Sequence, residues 1–337
     1  MNSVVVQTAF LGDVVLTTPL LAAVAARHGP VDVVTTPVAA PLLETHSAVR
    51  QVIPYDKHRS DRGWAGLRAM VQRLKTEKYD RAYLPHQSLR TASLALLASI
   101  PSRIGFAGIW SFLYTESRRK PAEGHESDRL LALADEAPAA YPPQLRPTPM
   151  DVQAAADLLE GAGIGYATPL IAIAPGSIWG SKRWPYYAEL AAALASTFAV
   201  AAVGGPDDVS LGDQIARAVD ASGGRAVNAC SKLTLRQSAA LIGRAALVVT
   251  NDSAPLHLAT AVGTPVVAVF GPTVPEFGFG PLRAGDVSLG IDGLQCRPCS
   301  AHGPPACPLG HHRCMRELTV EAVLAAIEET GALRRRR

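Results

Sequence analysis

The stretch ALVVTNDSAPLHLATAVGTPVVAVFGPT, residues 246–273, decides the fold. A valine-rich run enters a polar loop, a short apolar segment follows, and Gly-Thr-Pro separates it from a second valine run. Continuous apolar runs of this length are typical of parallel strands buried on both faces, so the pattern predicts a compact strand–helix–strand unit. The loop 251–255 then joins a strand's carboxyl end to a helix N-terminus, where backbone N–H groups favour an anion. The same spacing also fits Asp252 as a plain N-cap.

Size and composition indicate two α/β domains. The chain has 337 residues, of which 48% are hydrophobic and 6% aromatic, and this length exceeds one ordinary core. No apolar run approaches the roughly 20 residues that cross a bilayer, and the N-terminus MNSVVVQT lacks a basic n-region, so we expect a cytoplasmic protein. The net charge of +3 is too small and dispersed to indicate a nucleic-acid partner. The four terminal arginines, 334–337, would support only reversible contact with a membrane.

The first half alternates strand-like and helix-like segments, which predicts a parallel sheet covered on both faces. After the valine strand 3–7, Asp13 follows Gly12 on the rim where ligands meet such a sheet, either facing a ligand or capping a helix. That helix starts at Asp13 with a kink at Pro19, or at Thr18 with Pro19 first.

A second polar loop in this half follows the strand-like segment RAYLP. It offers imidazole, hydroxyl and guanidinium groups to a phosphorylated or polyhydroxylated partner, or forms ordinary surface; these groups belong to His86, Ser88 and Arg90. The proline-rich, aperiodic stretch 136–150 marks the domain boundary, giving a first domain over 1–140.

The second half repeats the pattern over 151–318. Its GAGIGY sequence follows a helix instead of a strand and has a misplaced third glycine, so it fails as a dinucleotide fingerprint. After the strand LIAIA, small residues beside Lys182 and Arg183 form a candidate phosphate clamp at a helix start. Asp208, after the next strand, suits ribose hydroxyls or a helix cap. A last helix is expected within 319–337, packed either on this second domain or back on the first domain.

Four of the five cysteines cluster in one irregular stretch, 294–315, which we call the Cys-rich segment: Cys296, Cys299, Cys307 and Cys314. The first pair has the C-x-x-C spacing of tetrahedral metal sites, with histidines nearby. A cytosolic location argues against stable disulfides. The open alternatives are a structural zinc or iron–sulfur site and a reduced or redox-active cluster.

Four stretches in order resemble one known family: GDVVLTTPLL (12–21), LPHQSLRTASLALLASIPSRIGF (84–106), APGSIWGSKRWPYYAELA (174–191) and VVTNDSAPLHLATAVGTPVVAVFGPT (248–273). Together they resemble the ADP-heptose:lipopolysaccharide heptosyltransferases of glycosyltransferase family 9, especially the heptosyltransferase II type. The resemblance implies a GT-B fold, with two Rossmann-like domains facing a cleft. The first would bind the acceptor and the second the nucleotide sugar.

The resemblance also implies roles for individual residues. The catalytic aspartate of the family falls on Asp13, its phosphate-binding lysine on Lys182, and its ribose-binding carboxylate on Asp208. The donor-binding aspartate falls on Asp252, with His257 downstream. The rest of the donor set is expected at Ser177, Ser253 and Ala254. One departure is Ala254, followed by Pro255, at the position where the family usually has glycine. The Ala254 side chain limits how closely a ligand can approach the backbone, and Pro255 removes one N–H donor from the anion site. This departure weakens the inference that the donor is ADP-heptose.

The expected reaction is a single inverting displacement from ADP-L-glycero-β-D-manno-heptose to the lipopolysaccharide inner core or a lipid A precursor. Asp13 would take the acceptor proton, and Lys182 would hold the departing diphosphate. No catalytic cofactor is expected. The fixed charge of Lys182 can neutralise the phosphates, and the sequence has no Asp-x-Asp pair to bind a divalent metal. The alternatives are a family 9 transferase using another nucleotide sugar in O-antigen or capsule assembly, and a non-catalytic sugar-nucleotide-binding module. Peripheral contact with the inner membrane is a further expectation.

Overall fold

A computed structural model describes residues 2–332. The chain divides into two compact units, Met1–Arg146 and Pro147–Arg337. The boundary falls inside the proline-rich stretch 136–150, where Thr148 caps the first helix of the second unit by accepting the Asp151 N–H. The terminal arginines 334–337 lie outside the described residues.

The first unit is built on a parallel sheet of strand order β3-β2-β1-β4-β5-β6. The strands are β1 Ser3–Gln7, β2 Val31–Thr35, β3 Val49–Pro54, β4 Arg81–Leu84, β5 Ser102–Phe106 and β6 Glu116–Arg118. The helices are α1 Leu11–Leu16, α2 Thr18–His28, α3 Ala40–Leu43, α4 Gly63–Glu77, α5 Leu89–Leu97 and α6 Glu126–Leu131, with short 3-10 helices at Ser111–Leu113 and Ala132–Ala134. Separate apolar clusters cover the two faces of the sheet.

The second unit repeats this arrangement, with strand order β12-β11-β10-β7-β8-β9, all parallel. The strands are β7 Leu170–Ala174, β8 Ala199–Ala202, β9 Ala226–Asn228, β10 Leu247–Asn251, β11 Val266–Val269 and β12 Val287–Leu289. The helices are α7 Pro149–Gly161, α8 Tyr187–Leu194, α9 Val209–Ala221, α10 Leu235–Arg244, α11 Ala254–Val262, α12 Arg313–Arg316 and α13 Val320–Glu329, with 3-10 helices at Gly180–Lys182, Pro206–Asp208 and Pro275–Phe277.

Both sheets have the doubly wound order of Rossmann folds, as predicted for each of the two domains. In each sheet the chain turns back between the first and fourth strands of the unit, so β1 lies beside β4 and β7 beside β10. Ligands of such sheets bind outside the carboxyl ends of the strands at this switch point. The fold therefore indicates one loop pair in each unit where a ligand is expected.

The stretch 246–273 forms the predicted strand–helix–strand unit. Every residue of β10 and β11 is buried, which explains their unbroken apolar sequence. Between them α11 ends at Gly263, whose φ of 81° is the left-handed conformation that glycine adopts without a steric penalty. The prediction of a parallel β10–β11 pair is confirmed by their register, with Val249 opposite Val267.

The structure bears on two expectations about helices. The sequence left two starts for the first helix, and the chain differs from both: one short helix, α1, begins at Leu11 and contains Asp13 in its first turn, and a second, α2, has Thr17 as its N-cap and begins at Thr18, with Pro19 in its first turn. The last helix, α13, was left open between the two domains. Its buried side chains Val323, Ala326 and Ile327 pack in the core of the second unit, against α8 and β11. No helix within residues 2–332 is long and apolar enough to span a membrane.

Candidate functional site

The loops that follow β7 and β10 place two oppositely charged side chains together at the switch point of the second unit. The Lys182 Nζ lies 2.5 Å from an Asp252 carboxylate oxygen and also donates to the Asp252 carbonyl at 3.2 Å. Only 7% of Lys182 and 8% of Asp252 is exposed. The predicted clamp lysine and donor aspartate, 70 residues apart in sequence, thus form one buried ion pair.

Thr273 completes this group and had no predicted role. Its hydroxyl donates to the same Asp252 oxygen at 2.7 Å, and Thr273 is 1% exposed. The residue lies after β11, the neighbour of β10, so its proximity follows from strand order. A threonine in the loop after a buried strand was the signal available in sequence, but many structural threonines share it.

Asn251, the last residue of β10, fixes the loop that follows β7. Its amide nitrogen donates to the carbonyls of Pro175 at 2.9 Å and Gly176 at 3.3 Å. Its side-chain oxygen accepts from the Trp184 N–H at 3.1 Å and the Tyr187 hydroxyl at 3.0 Å. A fully buried amide thereby satisfies all its hydrogen-bonding capacity and connects the two ends of the 175–184 loop to β10.

Asp208 and Ser177 lie at the same sheet edge as the ion pair. Asp208 accepts the Gly205 N–H at 3.0 Å, as expected of a helix cap. Its carboxylate occupies the space that a side chain at Gly176 would need, since a Cβ built there lies 2.0 Å from an Asp208 oxygen. The Ser177 hydroxyl accepts the Trp179 N–H at 3.2 Å, and the Ser177 carbonyl accepts from Arg183 Nε at 3.0 Å.

The amino end of α11 follows the Asp252 loop. Ser253 is the N-cap and makes no side-chain cap hydrogen bond, while Ala254 and Pro255 open the helix and are partly exposed. Because Pro255 has no N–H, one donor of the first turn is missing. His257 is 5% exposed, on the first turns of α11, and its ring makes a T-shaped contact with Phe279 at a centroid distance of 6.2 Å.

Asp13 lies at the switch point of the first unit, in the first turn of the helix that follows β1. It is the third residue of α1, and its carboxylate accepts the Phe10 N–H at 3.1 Å. The capping interpretation therefore holds for one of its oxygens, and the side chain remains partly exposed.

The loop after β4 and the start of α5 contain the three predicted acceptor-binding residues in different environments. Ser88 caps α5 by accepting the Thr91 N–H at 3.2 Å. Arg90 donates to the Tyr55 hydroxyl at 2.5 Å and to the Asp61 carbonyl at 2.8 Å. Burial, with a smaller effect of the Lys57 charge, lowers the pKa of His86. Ser88 and Arg90 thus have structural partners, and burial favours the neutral form of His86.

The sequence of residues 67–307 matches the family model described as glycosyltransferase family 9 (heptosyltransferase). This match spans most of the chain. The chain belongs to glycosyltransferase family 9.

Relatives and solved structures of similar size support this membership. The chain is 28% identical to lipopolysaccharide heptosyltransferase 2 of Escherichia coli K12, over 82% of this chain and 84% of that one. It is 29% identical to lipooligosaccharide heptosyltransferase 2 of Haemophilus influenzae, over 98% and 99% of the two chains. The structure of E. coli ADP-heptose LPS heptosyltransferase II superposes with a TM-score of 0.81 at 25% identity, covering 100% of both chains. The protein is therefore a glycosyltransferase, as predicted.

The thiols of this family 9 transferase are all free. Among the side chains that the structure describes, no group of three or more His, Cys, Asp or Glu is placed to hold a metal ion. Burial acts to raise the pKa of Cys307, but hydrogen bonds from several backbone N–H groups, His312 first among them, together outweigh it and lower the pKa. Burial raises the pKa of Cys314 to about 11, with further contributions from the neighbouring cysteines. The segment therefore combines one thiol with a lowered pKa and one with a raised pKa.

We expect Asn251→Leu to destabilise the second unit of the transferase by about 3 kcal/mol or more, because two carbonyls, one N–H and one hydroxyl would lose their partner in the core. Tyr187→Phe removes one of these bonds and should cost only about 1 kcal/mol. Urea unfolding of both variants measures the difference. Equal losses would mean that the amide does not hold the loop.

Proposed function

We propose that this family 9 glycosyltransferase moves heptose from ADP-heptose to the inner core of lipopolysaccharide or a lipid A precursor. The observation that carries the proposal is the buried Lys182–Asp252 pair at the switch point of the second sheet, beside the amino end of α11. A cation and helix N–H groups together suit a diphosphate. The assignment of heptose and of the acceptor comes from the relatives, each of which is named as a lipopolysaccharide or lipooligosaccharide heptosyltransferase.

The donor is assigned to the second unit. Lys182, Ser177 and the backbone amides near Ser253 would hold the negative charge that grows on the ADP leaving group. To bind the phosphates, Lys182 shares its ammonium between the ligand and Asp252, which then orients donor hydroxyls. Asp208 is assigned to the ribose hydroxyls and His257 to the donor pocket. Ala254 contributes its backbone at the helix start.

The acceptor is assigned to the first unit. Asp13 would accept the proton of the attacking hydroxyl, in a single displacement that inverts the anomeric carbon. His86, Ser88 and Arg90 lie between β4 and the first turn of α5, on the same sheet edge as Asp13 because β1 and β4 are neighbours. Ser88 and Arg90 have local partners, whereas the buried His86 Nδ1 has no hydrogen-bond partner among the described residues, so His86 is the one of the three best placed to bond an acceptor.

The Ala254–Pro255 pair favours a second candidate, a family 9 transferase that uses another nucleotide sugar in O-antigen or capsule assembly. The test is ADP or other nucleotide release from a panel of sugar nucleotides with a lipid A–core acceptor. We expect ADP-heptose to give the highest kcat/KM. Higher kcat/KM with another nucleotide sugar would replace the donor assignment while leaving the transferase class intact.

The zinc or iron–sulfur site at Cys296, Cys299, Cys307 and Cys314 stays a prediction. The C-x-x-C spacing supports it, while the described side chains form no metal-holding group. Metal analysis of the purified protein decides between the alternatives. One equivalent of zinc or iron per chain would establish the site, and less than one would leave a reduced or redox-active cluster.

The proposed location is the cytoplasm, with peripheral contact at the inner membrane where a lipid-linked acceptor is found. The basic tail 334–337 would provide that contact through anionic headgroups.

A further inference from the structure

The Cys-rich segment packs directly against the element that carries Lys182. The His312 Nε2 lies 2.7 Å from the Ser181 carbonyl oxygen. Because a carbonyl only accepts, Nε2 carries the proton and donates. The Ser181 hydroxyl in turn donates to the Pro304 carbonyl. The residue that precedes Lys182 is therefore held by the segment through its main chain and its side chain.

The Lys182 side chain itself lies along the same segment. Gly303 adopts a φ of 78°, and a Cβ built on it would lie 3.2 Å from Lys182 Cε and 3.4 Å from Cγ. The methylene groups of the lysine thus run over a glycine where a larger residue would crowd them. Fixing a lysine side chain costs up to about 2 kcal/mol of rotamer entropy. Because this packing already orders Lys182 in the free protein, that cost is not added when a ligand binds.

The segment also holds the other side of the ion pair. The Cys299 N–H donates to the Pro272 carbonyl at 2.8 Å, and Arg297 donates to the Thr273 carbonyl from two nitrogens at 3.3 Å each. Thr273 is the residue whose hydroxyl bonds Asp252. Both partners of the Lys182–Asp252 pair are therefore supported by one stretch of chain.

This stretch is itself anchored in the core. Cys314 and Met315, which follow His312, are 6% and 0% exposed and belong to the apolar cluster of the second unit. The His312 N–H donates to Cys307 Sγ at 3.4 Å, and its carbonyl accepts the Met315 N–H at 3.1 Å. The His312 ring is thus presented from a fixed backbone with a φ of 52°.

We propose that His312 is a positioning residue for the donor diphosphate, acting through the Ser181 carbonyl on Lys182. The inference rests on the proposed function, which assigns Lys182 to the phosphates. It adds that the Cys-rich segment is part of the donor site, supporting the cation without touching the ligand.

The test compares His312→Asn with His311→Asn in the full-length protein. Asparagine tolerates the left-handed backbone conformation at 312 but is shorter than histidine, so it removes the contact with little added strain. His311 is the matched control, because its ring accepts the Arg313 N–H instead of contacting Ser181. Affinity is measured for ADP and for adenosine, which lacks the phosphates, and thermal melting checks the fold.

We expect His312→Asn to weaken ADP binding about 3- to 10-fold, the loss of one hydrogen bond. Adenosine binding should stay within about two-fold, since no cation contacts it, and His311→Asn should leave both affinities unchanged. Equal losses for ADP and adenosine, an unchanged ADP affinity in His312→Asn, or the same loss in His311→Asn would overturn the inference.

A separate variant distinguishes a wrong inference about His312 from a wrong proposed function. Lys182→Met with Asp252→Asn removes both charges of the pair and should bind ADP much more weakly than the native chain. If this variant binds ADP normally, Lys182 does not hold the phosphates and the proposed function fails. If it binds weakly while His312→Asn binds normally, only the positioning role fails.

Discussion

Turnover is expected to fall by about 10²- to 10⁴-fold when Asp13 is replaced by asparagine, while ADP affinity stays nearly unchanged. Asparagine has almost the same shape and keeps an oxygen that can accept the Phe10 N–H, so α1 should retain its cap. The amide cannot take a proton from the acceptor hydroxyl. Steady-state kinetics with a saturating acceptor and calorimetric titration with ADP measure the two quantities.

The control for Asp13→Asn is Asp207→Asn. Asp207 is an exposed aspartate in the loop after β8, with no role in the proposed mechanism, and the same change there should leave turnover unaltered. Thermal melting should show both variants folded. Retained turnover in Asp13→Asn would rule out the base assignment. A parallel fall of kcat and ADP affinity would instead mean that the loop had been distorted.

The sheet architecture could be predicted from sequence because its signal is local. In 246–273, two valine runs flank a short apolar helix that ends in glycine, and burial on both faces keeps the strands largely apolar. The positions of Asp13, Lys182 and Asp252 at carboxyl ends of strands followed from the same reasoning.

The partners of these residues could not be predicted, because they depend on which strands become neighbours. Thr273 bonds Asp252 only because β11 lies beside β10, and Asn251 reaches Pro175 only because β7 lies on the other side. The alternation of strands and helices fixes a parallel sheet, but it leaves strand order open. The ion pair itself, across 70 residues, is a consequence of that order.

Ser88 and Arg90 show a different limit. Their side chains suit a polyhydroxylated ligand in sequence, yet in the structure they bond to Thr91, Tyr55 and the 61–63 backbone. A serine before a helix has a capping role available at once, and an arginine has several N–H donors that nearby carbonyls can satisfy. Residue type therefore predicted which groups the loop offers but not which partners they take.

Lys182→Met is expected to lower kcat about 10²- to 10³-fold and to destabilise the second unit by about 3–5 kcal/mol. The first effect follows from losing the cation proposed to hold the leaving diphosphate. The second follows from leaving the Asp252 carboxylate buried with Thr273 as its side-chain donor. Kinetics with ADP-heptose and urea unfolding measure the two losses independently.

The double variant Lys182→Met, Asp252→Asn separates these effects, because it removes the unpaired buried charge. We expect it to regain most of the lost stability, since the amide oxygen introduced at position 252 still accepts the Thr273 hydroxyl and no uncompensated carboxylate remains. Turnover should stay low, because the double variant still lacks the ammonium group that would stabilise the leaving diphosphate. Recovery of turnover together with stability would show that Lys182 serves only to neutralise Asp252, and would remove the cation from the mechanism.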